Sequence, residues 1–536
     1  MGLFFNYDNS VCSEGTTPVV FSFDPSISSL KELLMYELSQ LSYYEFKLRE
    51  LGEDTEDLTN DIIENITLAL VNLDFRKDEF LNMLKVLYEG VERAKEEYKN
   101  SCERHVCDCE ILIGEKLSFE NKNEGIKAVN FGEKQSLMKN TVFSKKKKML
   151  SDIAIMLVSN ASLCITEIES YGESVGDLKY KIPELLKTIN YDGLNDSELK
   201  NKILNFAKSN CEIMQKLNEI IVKKYGPVEM TDVELNIKKG KCILVSGHYF
   251  KDLELLLEAV KDEDINVYTH NEMLFAHSFK GFQKYKNLAG HYQRSANNLQ
   301  LDFASFPGAV LITKNSHPHM DMIRGRVFTS NDNVTYGVGK VNENNFTPLI
   351  QAAKEESGFK RDIKIDEITV GYNQNEIITK LSNIISKIQT NKIKQLFIIG
   401  LNNYSLIQNA YFEKFFEILP DDCYTISFSY NTHKRNVWHI NTYYDMSLAY
   451  LMFNELTKYP KILHDKTTVF MTQCHLQTIA HTFNLKILGV KNIFLGECCS
   501  SIINPSVLDG MTDLFGIKQL SNSPKRDIRH ILKKSK

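Results

Sequence analysis

The chain has 536 residues, 43% hydrophobic and 25% charged, with 64 basic against 69 acidic side chains and a net charge of −5. That length supports roughly three or four domains, each able to bury its own core. The near-balance of charge gives no electrostatic footprint for nucleic acid or an anionic membrane surface. No apolar run approaches the ~20 residues of a membrane-spanning helix.

The opening MGLFFNYDNSV lacks the basic start and long apolar stretch of a signal peptide. Asn6 makes Met-Gly a poor myristoylation match. Eleven cysteines, scattered and odd in number, fit reduced thiols better than a disulfide framework. These features together predict a cytoplasmic protein.

From about residue 26 to 225 the period is helical. SSLKELLMYELSQLSYYEFKLRELG (28–52) sets Leu30, Leu33, Leu34, Met35, Leu38 and Leu41 on one broad face and ends at Gly52. Amphipathic stretches follow at 57–71 and 78–100, then a break near 101–145, then two more at 147–171 and 197–224. Two helical groups around a break suggest two bundles of similar design. Inside the break, CERHVCDC (102–109) offers Cys102, His105, Cys107 and Cys109 as ligands for one zinc ion. The spacing is not that of paired C-x-x-C knuckles, so a solvated loop with chance cysteines is the competing reading. The run KKKK (145–148) reads as a solvated helix start.

From about residue 235 the pattern becomes strand, turn, helix, strand. KCILVSG leads into KDLELLLEAVKD and INVYTH; KQLFIIG (394–400) leads towards CYTISFSY; TTVFMTQ (467–473) leads into HLQTIAHTFNLKILG and NIFLGE. Such βαβ-like units predict two parallel-sheet domains with sites at the strand carboxyl ends, divided near 355–385. CILVSGHY (242–249) delivers His248 to such an end.

The stretch LVSGHYFKDLELLLEAVKDEDINVYTHNEMLFAH (244–277) resembles the hybrid-cluster protein family, also called prismane or hydroxylamine reductase. KYGPVEMTDVELNIKKGKCILVSGH, GVKNIFLG (489–496) and LKELLMYELSQLSYYEFKLRELG extend the resemblance over nearly the whole chain, in order and with similar spacing. The resemblance implies a multidomain α plus α/β fold, a pair of three-helix bundles followed by two Rossmann-like parallel-sheet domains. On that frame residues 1–235 form the helical domain, 236–375 the first Rossmann-like domain and 376–536 the second.

The resemblance also implies a cubane iron–sulfur cluster on four N-terminal cysteines. Deeper in, it implies a hybrid iron–sulfur–oxygen cluster on one histidine, two glutamates and four cysteines. Here the residues depart from the family. LFFNYD replaces the opening C-x-x-C, with Phe5 and Asp8 at cysteine positions, Phe21 at the fourth, and Cys12 left nearby. His248 and Glu272 keep their places in SGH and YTHNEM. Ser316, Asn402, Tyr430 and Tyr443 stand at the four deep cysteine positions, His475 at the second glutamate and Gln477 at a nearby lysine. Clusters of this kind need thiolates, which hydroxyl and amide side chains do not replace.

Two readings of the vacated site follow. His248, Glu272 and His475 form a two-histidine, one-carboxylate set suited to a single iron or zinc ion. Alternatively they are inherited polar residues in a closed-over cavity, with Tyr430 and Tyr443 filling space the cluster left. The vicinal Cys498 and Cys499 follow a strand and are either redox active or buried and inert. His317 and His319 stand close to Ser316, as metal donors or polar loop residues. The basic, aromatic stretch 277–294 is set against the overall charge, which argues against a nucleic-acid face.

The expectation is therefore a degenerate hybrid-cluster homologue without iron–sulfur clusters or hydroxylamine reductase activity. It would be a pseudoenzyme acting as a binding, structural or regulatory protein. No cofactor is expected beyond, at most, a single iron or zinc ion. An unidentified protein partner is expected, with no nucleic acid and no membrane, for a monomer or homodimer. The alternatives are an oxidoreductase or hydrolase using a mononuclear metal, or residual hydroxylamine reductase-like activity.

Overall fold

The computed structural model describes residues 25–68, 77–112, 122–142, 144–190, 193–292, 299–316, 325–331, 337–371, 373–400, 406–428, 436–440, 446–472, 476–496 and 505–534. Helices come first: α1 (Pro25–Glu50), α2 (Glu56–Ile66), α3 (Lys77–His105), α4 (Lys122–Val142), α5 (Lys145–Ser170), α6 (Lys181–Asn190) and α7 (Asp196–Tyr225).

Proline suits the first position of α1, where its missing N–H has no intrahelical partner to lose. At the other end Gly52 adopts φ 84°, and the Glu53 N–H reaches back to the Leu48 carbonyl at 3.1 Å. That left-handed residue closes the helix as the sequence predicts. Leu30, Leu33, Leu34, Met35, Leu38 and Leu41 are all buried, and so are the polar Lys31, Glu32, Glu37 and Glu45. A helix buried on several faces packs against several neighbours, here α2, α3, α4 and α6. Burial raises the Glu37 carboxyl to about 8, so it keeps its proton at neutral pH.

The break expected near 101–145 contains α4, a full helix. Its sequence, KNEGIKAVNFGEKQSLMKNTV, has two glycines and few regularly spaced apolar residues, so periodicity does not reveal it. Tertiary contact forms it instead: a Cβ added at Gly132 would lie 1.9 Å from the Ser29 carbonyl oxygen, a backbone approach to α1 that only glycine permits. α5 starts at the lysine run as expected, with the Ser144 side chain accepting the Lys147 N–H at 3.0 Å. It is also long and apolar enough to cross a membrane, a stretch the reading by apolar runs passes over. Nearly all its side chains from Met149 to Ile168 are buried in the protein, as in a core helix.

Strands and helices then alternate. The first series is β1 (Thr231–Glu234), β2 (Lys241–Ser246), α8 (Phe250–Ala259), β3 (Ile265–His270), α9 (Lys280–Gln283), β4 (Leu288–His291), α10 (Leu299–Ser305) and β5 (Ala309–Ile312). It continues with β6 (Val327–Thr329), β7 (Gly339–Lys340), α11 (Thr347–Glu355) and β8 (Glu367–Val370). The second series is α12 (Gln374–Gln389), β9 (Gln395–Ile399), α13 (Leu406–Ile418), β10 (Cys423–Ser427), β11 (Val437–His439) and α14 (Met446–Thr457). It ends with β12 (Thr467–Met471), α15 (Leu476–Ile487), β13 (Asn492–Leu495), α16 (Pro505–Asp513), β14 (Lys518–Gln519) and α17 (Pro524–Lys534).

Each series makes a parallel six-stranded sheet, ordered β4-β3-β2-β5-β6-β7 and β11-β10-β9-β12-β13-β14. In both, the first strand is central and the chain reverses direction across the sheet beside it, the doubly wound arrangement. β2 and β9 are buried almost throughout, as strands covered on both faces must be. β1 and β8 pair antiparallel apart from either sheet. The fold is thus a helical N-terminal region followed by two parallel-sheet α/β regions, the class the sequence predicts.

Two compact units emerge from the chain. One gathers α1 to α6 and most of α7 with residues 476–484 and α16. The other holds both sheets. In the first, α16 lies against α5 through Gly510, where a Cβ would come within 2.9 Å of Ile153 Cδ1. Chain order alone gives no hint that α16 belongs with the N-terminal helices.

Candidate functional site

In the first sheet the switch point lies between β2 and β5, whose carboxyl ends meet at the pair Ser246 and Ile312. Doubly wound sheets bind ligands in the crevice at this place. Two segments leave it: Gly247–His248 after β2 and Thr313–Ser316 after β5.

Gly247 adopts φ 132°, and a Cβ there would lie 2.0 Å from Thr313 Oγ1 and 2.4 Å from Ser316 Oγ. Only glycine lets the two segments touch. The Thr313 hydroxyl accepts the Tyr249 N–H at 3.3 Å and pairs with Ser316 Oγ at 3.2 Å. Asn315 takes the left-handed conformation, φ 59°, which asparagine tolerates better than most residues. Its N–H donates to Asn331 Oδ1 at 2.6 Å, while Asn331 Nδ2 donates to the Ser316 carbonyl at 3.0 Å. Asp252, from α8, accepts the Lys314 N–H at 2.8 Å and the Ser330 hydroxyl at 2.5 Å. Burial lifts its carboxyl to about 6.

This scaffold presents three side chains together. His248 Nδ1 lies 3.4 Å from Ser316 Oγ and 3.9 Å from Glu272 Oε2. The His248 and Glu272 side chains keep 20% and 16% of their exposure. Burial drives the imidazole down to about 4, so it is neutral at physiological pH and its contact with Glu272 is not a full ion pair. Its Nε2 is buried and has no hydrogen-bond partner among the described residues.

A row of buried groups behind these residues is absent from the sequence reading. Ser246 and His270 are register partners in β2 and β3, and Ser246 Oγ lies 2.9 Å from His270 Nδ1. His270 Nε2 faces Asp302 Oδ2 of α10 at 3.4 Å. With Nε2–H donating to Asp302 Oδ2, Nδ1 accepts the Ser246 hydroxyl. The chain of bonds ties together the two strand ends that deliver His248 and Glu272. With Ser246 and Asp302 buried and His270 fully enclosed, it is a clamp rather than an exposed nucleophile. Beside it, Thr269 Oγ1 lies 2.8 Å from His277 Nε2 and 2.9 Å from His291 Nδ1. A hydroxyl has one proton, so at least one of those rings donates to it. Ser246 and His270 stand within the SGH and YTH motifs, so a signal existed for them. Nothing in the sequence singles out Asp302, thirty-two residues away.

His475, Asn402, Tyr430, Tyr443, His317, His319, Cys498, Cys499 and the N-terminal Phe5, Asp8, Cys12 and Phe21 lie outside the described residues, as does the Gln477 side chain. At the end of α3, Cys102 and Cys109 are joined by a disulfide, which departs from the expectation of reduced thiols throughout. In that state two of the four proposed zinc ligands are not thiolates. Cys107 is free and exposed, and His105 Nδ1 lies 2.9 Å from the Ser101 carbonyl. Among the described residues, no group of three or more His, Cys, Asp or Glu side chains is close enough to hold a metal ion.

Among the described residues, the donors at the switch point do not fit an iron–sulfur cluster. They are an imidazole, a carboxylate and a hydroxyl, whereas such clusters are built on thiolates. Cys242 and Cys423 are buried core thiols, each pushed up to about 12 by burial. A buried thiol of that kind is inert.

A family model described as Prismane/CO dehydrogenase family matches residues 22–429. A hydroxylamine reductase of Thermodesulfovibrio yellowstonii is 26% identical over 95% of this chain and 96% of its own. One of Acidiphilium cryptum is 24% identical over 93% and 92%. A solved structure reporting NiZn[Fe4S4] and NiNi[Fe4S4] clusters in alpha subunits of acetyl-CoA synthase/carbon monoxide dehydrogenase aligns with a TM-score of 0.49. That alignment has 11% identity and covers 95% of this chain and 82% of the other.

Proposed function

The chain belongs to the Prismane/CO dehydrogenase family, and from that premise we propose that it keeps the fold of the hydroxylamine reductases without their cluster chemistry. It acts as a binding or regulatory protein of the cytoplasm, working through an unidentified protein partner. The observation that carries this reading is Ser316. Its hydroxyl stands 3.4 Å from His248, at the place where the family resemblance calls for a cluster cysteine. A neutral hydroxyl does not bridge iron as a thiolate does. The three other deep cysteine positions carry Asn402, Tyr430 and Tyr443. Without a cluster the chain has no route for electrons to hydroxylamine.

A second reading rests on a different observation. Among the described residues, the buried Nε2 of His248 has no hydrogen-bond partner, and Glu272 lies on the other, Nδ1, side of the ring. Through Nε2, with His475, the ring would offer donors to one iron or zinc ion, while Glu272 on the Nδ1 side lies outside that set. Elemental analysis of native protein and of His248→Ala separates the two readings. Stoichiometric zinc or iron, lost in His248→Ala, supports the mononuclear site; metal-free wild-type protein eliminates it. Four or more irons with matching acid-labile sulfide would overturn both.

A further inference from the structure

We propose that Cys102, Cys107 and Cys109 form a thiol–disulfide exchange site on the surface of the helical unit, whose co-reactant is a low-molecular-weight disulfide and thiol couple. This rests on neither reading of the switch-point site.

The geometry of the α3 terminus carries it. α3 ends with the Val106 N–H donating to the Glu103 carbonyl at 3.3 Å and the Cys107 N–H donating to the Cys102 carbonyl at 3.0 Å. That pairing turns the chain back on the helix and needs a left-handed residue at its corner. Three other described helices make the same closure with glycine, at Gly52 (φ 84°), Gly172 (φ 76°) and Gly489 (φ 96°). At α3 the corner is Val106, at φ 53° and 92% exposed. A β-branched residue is disfavoured in that conformation, so something else must hold the turn. The Cys102–Cys109 bond does, with Cα atoms 6.0 Å apart across the reversal. Beyond it, the Tyr43 hydroxyl donates to the Glu110 carbonyl at 3.0 Å and the Leu112 N–H donates to the Tyr44 hydroxyl at 3.1 Å. Residues 107–112 are thus tied to α3 at one end and to α1 at the other.

The three sulfurs differ in access in a graded way. Cys102 is buried at 2% exposure, Cys109 is half-buried, and Cys107 is exposed and free. A small disulfide R–S–S–R therefore meets Cys107 first. The Cys107 thiolate attacks one of its sulfurs, forms Cys107–S–S–R and releases R–S⁻. The Cys109 thiolate attacks the Cys107 sulfur, forms Cys107–Cys109 and releases the second R–S⁻. The Cys102 thiolate then attacks the Cys109 sulfur and frees the Cys107 thiolate. Two protein thiols are oxidised to one disulfide, R–S–S–R is reduced to two R–SH, and the two protons pass from the protein thiols to the released thiolates. Excess R–SH runs the sequence backwards, opening the disulfide, relaxing Val106 and loosening 107–112 from Tyr43 and Tyr44.

The test equilibrates the full chain in buffers of stepped glutathione to glutathione disulfide ratio, then traps thiols by differential alkylation and maps them by peptide mass spectrometry. Cys102 and Cys109 should become protected together while Cys107 stays alkylatable at equilibrium. Cys107→Ser, an exposed substitution, should slow that protection on the order of tenfold without moving its midpoint, because direct attack at Cys109 is hindered. Amide exchange at Leu112 should rise by a comparable factor on reduction. The proposal fails if Cys102 and Cys109 stay alkylatable at every ratio, or if Cys107→Ser protein oxidises as fast as wild type. It also fails if protection of all three thiols requires added zinc.

Discussion

His248 illustrates how one residue's meaning depends on its neighbours. A histidine at a strand end suggests chemistry; a histidine facing Ser316 Oγ at 3.4 Å, with Nε2 enclosed, has a hydroxyl where the family resemblance implies sulfur. The turn that brings them together depends on Gly247. Gly247→Ala puts a methyl group 2.0 Å from Thr313 Oγ1 at φ 132°. That should cost about 2–4 kcal/mol of stability, read as a lower urea midpoint. An unchanged midpoint would mean the two segments are not in contact. His277 yields a second prediction. Burial lowers its imidazole from 6.5 to about 4, so the folded protein holds the neutral ring. As pH falls, the unfolded chain takes up the proton first. Its contribution is therefore present above about pH 6.5 and is lost as pH drops towards 4. His277→Gln, which can still bond Thr269, should remove about 2–3 kcal/mol of the wild-type decline over that window. Parallel stability curves for the two proteins from pH 6.5 to 4 would contradict this. The residue scale was half legible: SGH and YTHNEM pointed to His248 and Glu272, whereas Asp302 and Asn331 act through contacts that only folding creates.

Among the elements, the strands and long helices were legible where a repeating apolar pattern met a strong terminator, as in α1 with its leucine face and Gly52. α4 was not legible, because its place is fixed by close backbone approach rather than by a wide apolar face. Gly132 is the contact, with the Ser29 carbonyl where a Cβ would stand. Gly132→Ala should therefore lower stability by about 2–4 kcal/mol, although alanine ordinarily favours a helix by roughly 1 kcal/mol over glycine. Thermal melts distinguish the two: a raised melting temperature would mean α4 does not lie on α1. The clamp of Ser246, His270 and Asp302 works at the same scale, binding the ends of β2 and β3 so that the following turns keep their separation.

At the scale of the molecule, the two sheets share one strand order, and in each the switch point falls beside the first strand. Alternating strand and helix patterns were enough to predict two parallel sheets, whereas the order of strands within each sheet was not read from the sequence. What sequence order hides is assembly across distance, as when α16 joins α5. The proposed function requires this family fold to persist without thiolates at its cluster position. Iron and acid-labile sulfide should be measured on protein purified without oxygen from cells supplied with iron. Less than one iron per chain, no acid-labile sulfide and no visible iron–sulfur absorption are expected. Four or more irons per chain, with matching sulfide and a broad visible band, would contradict it.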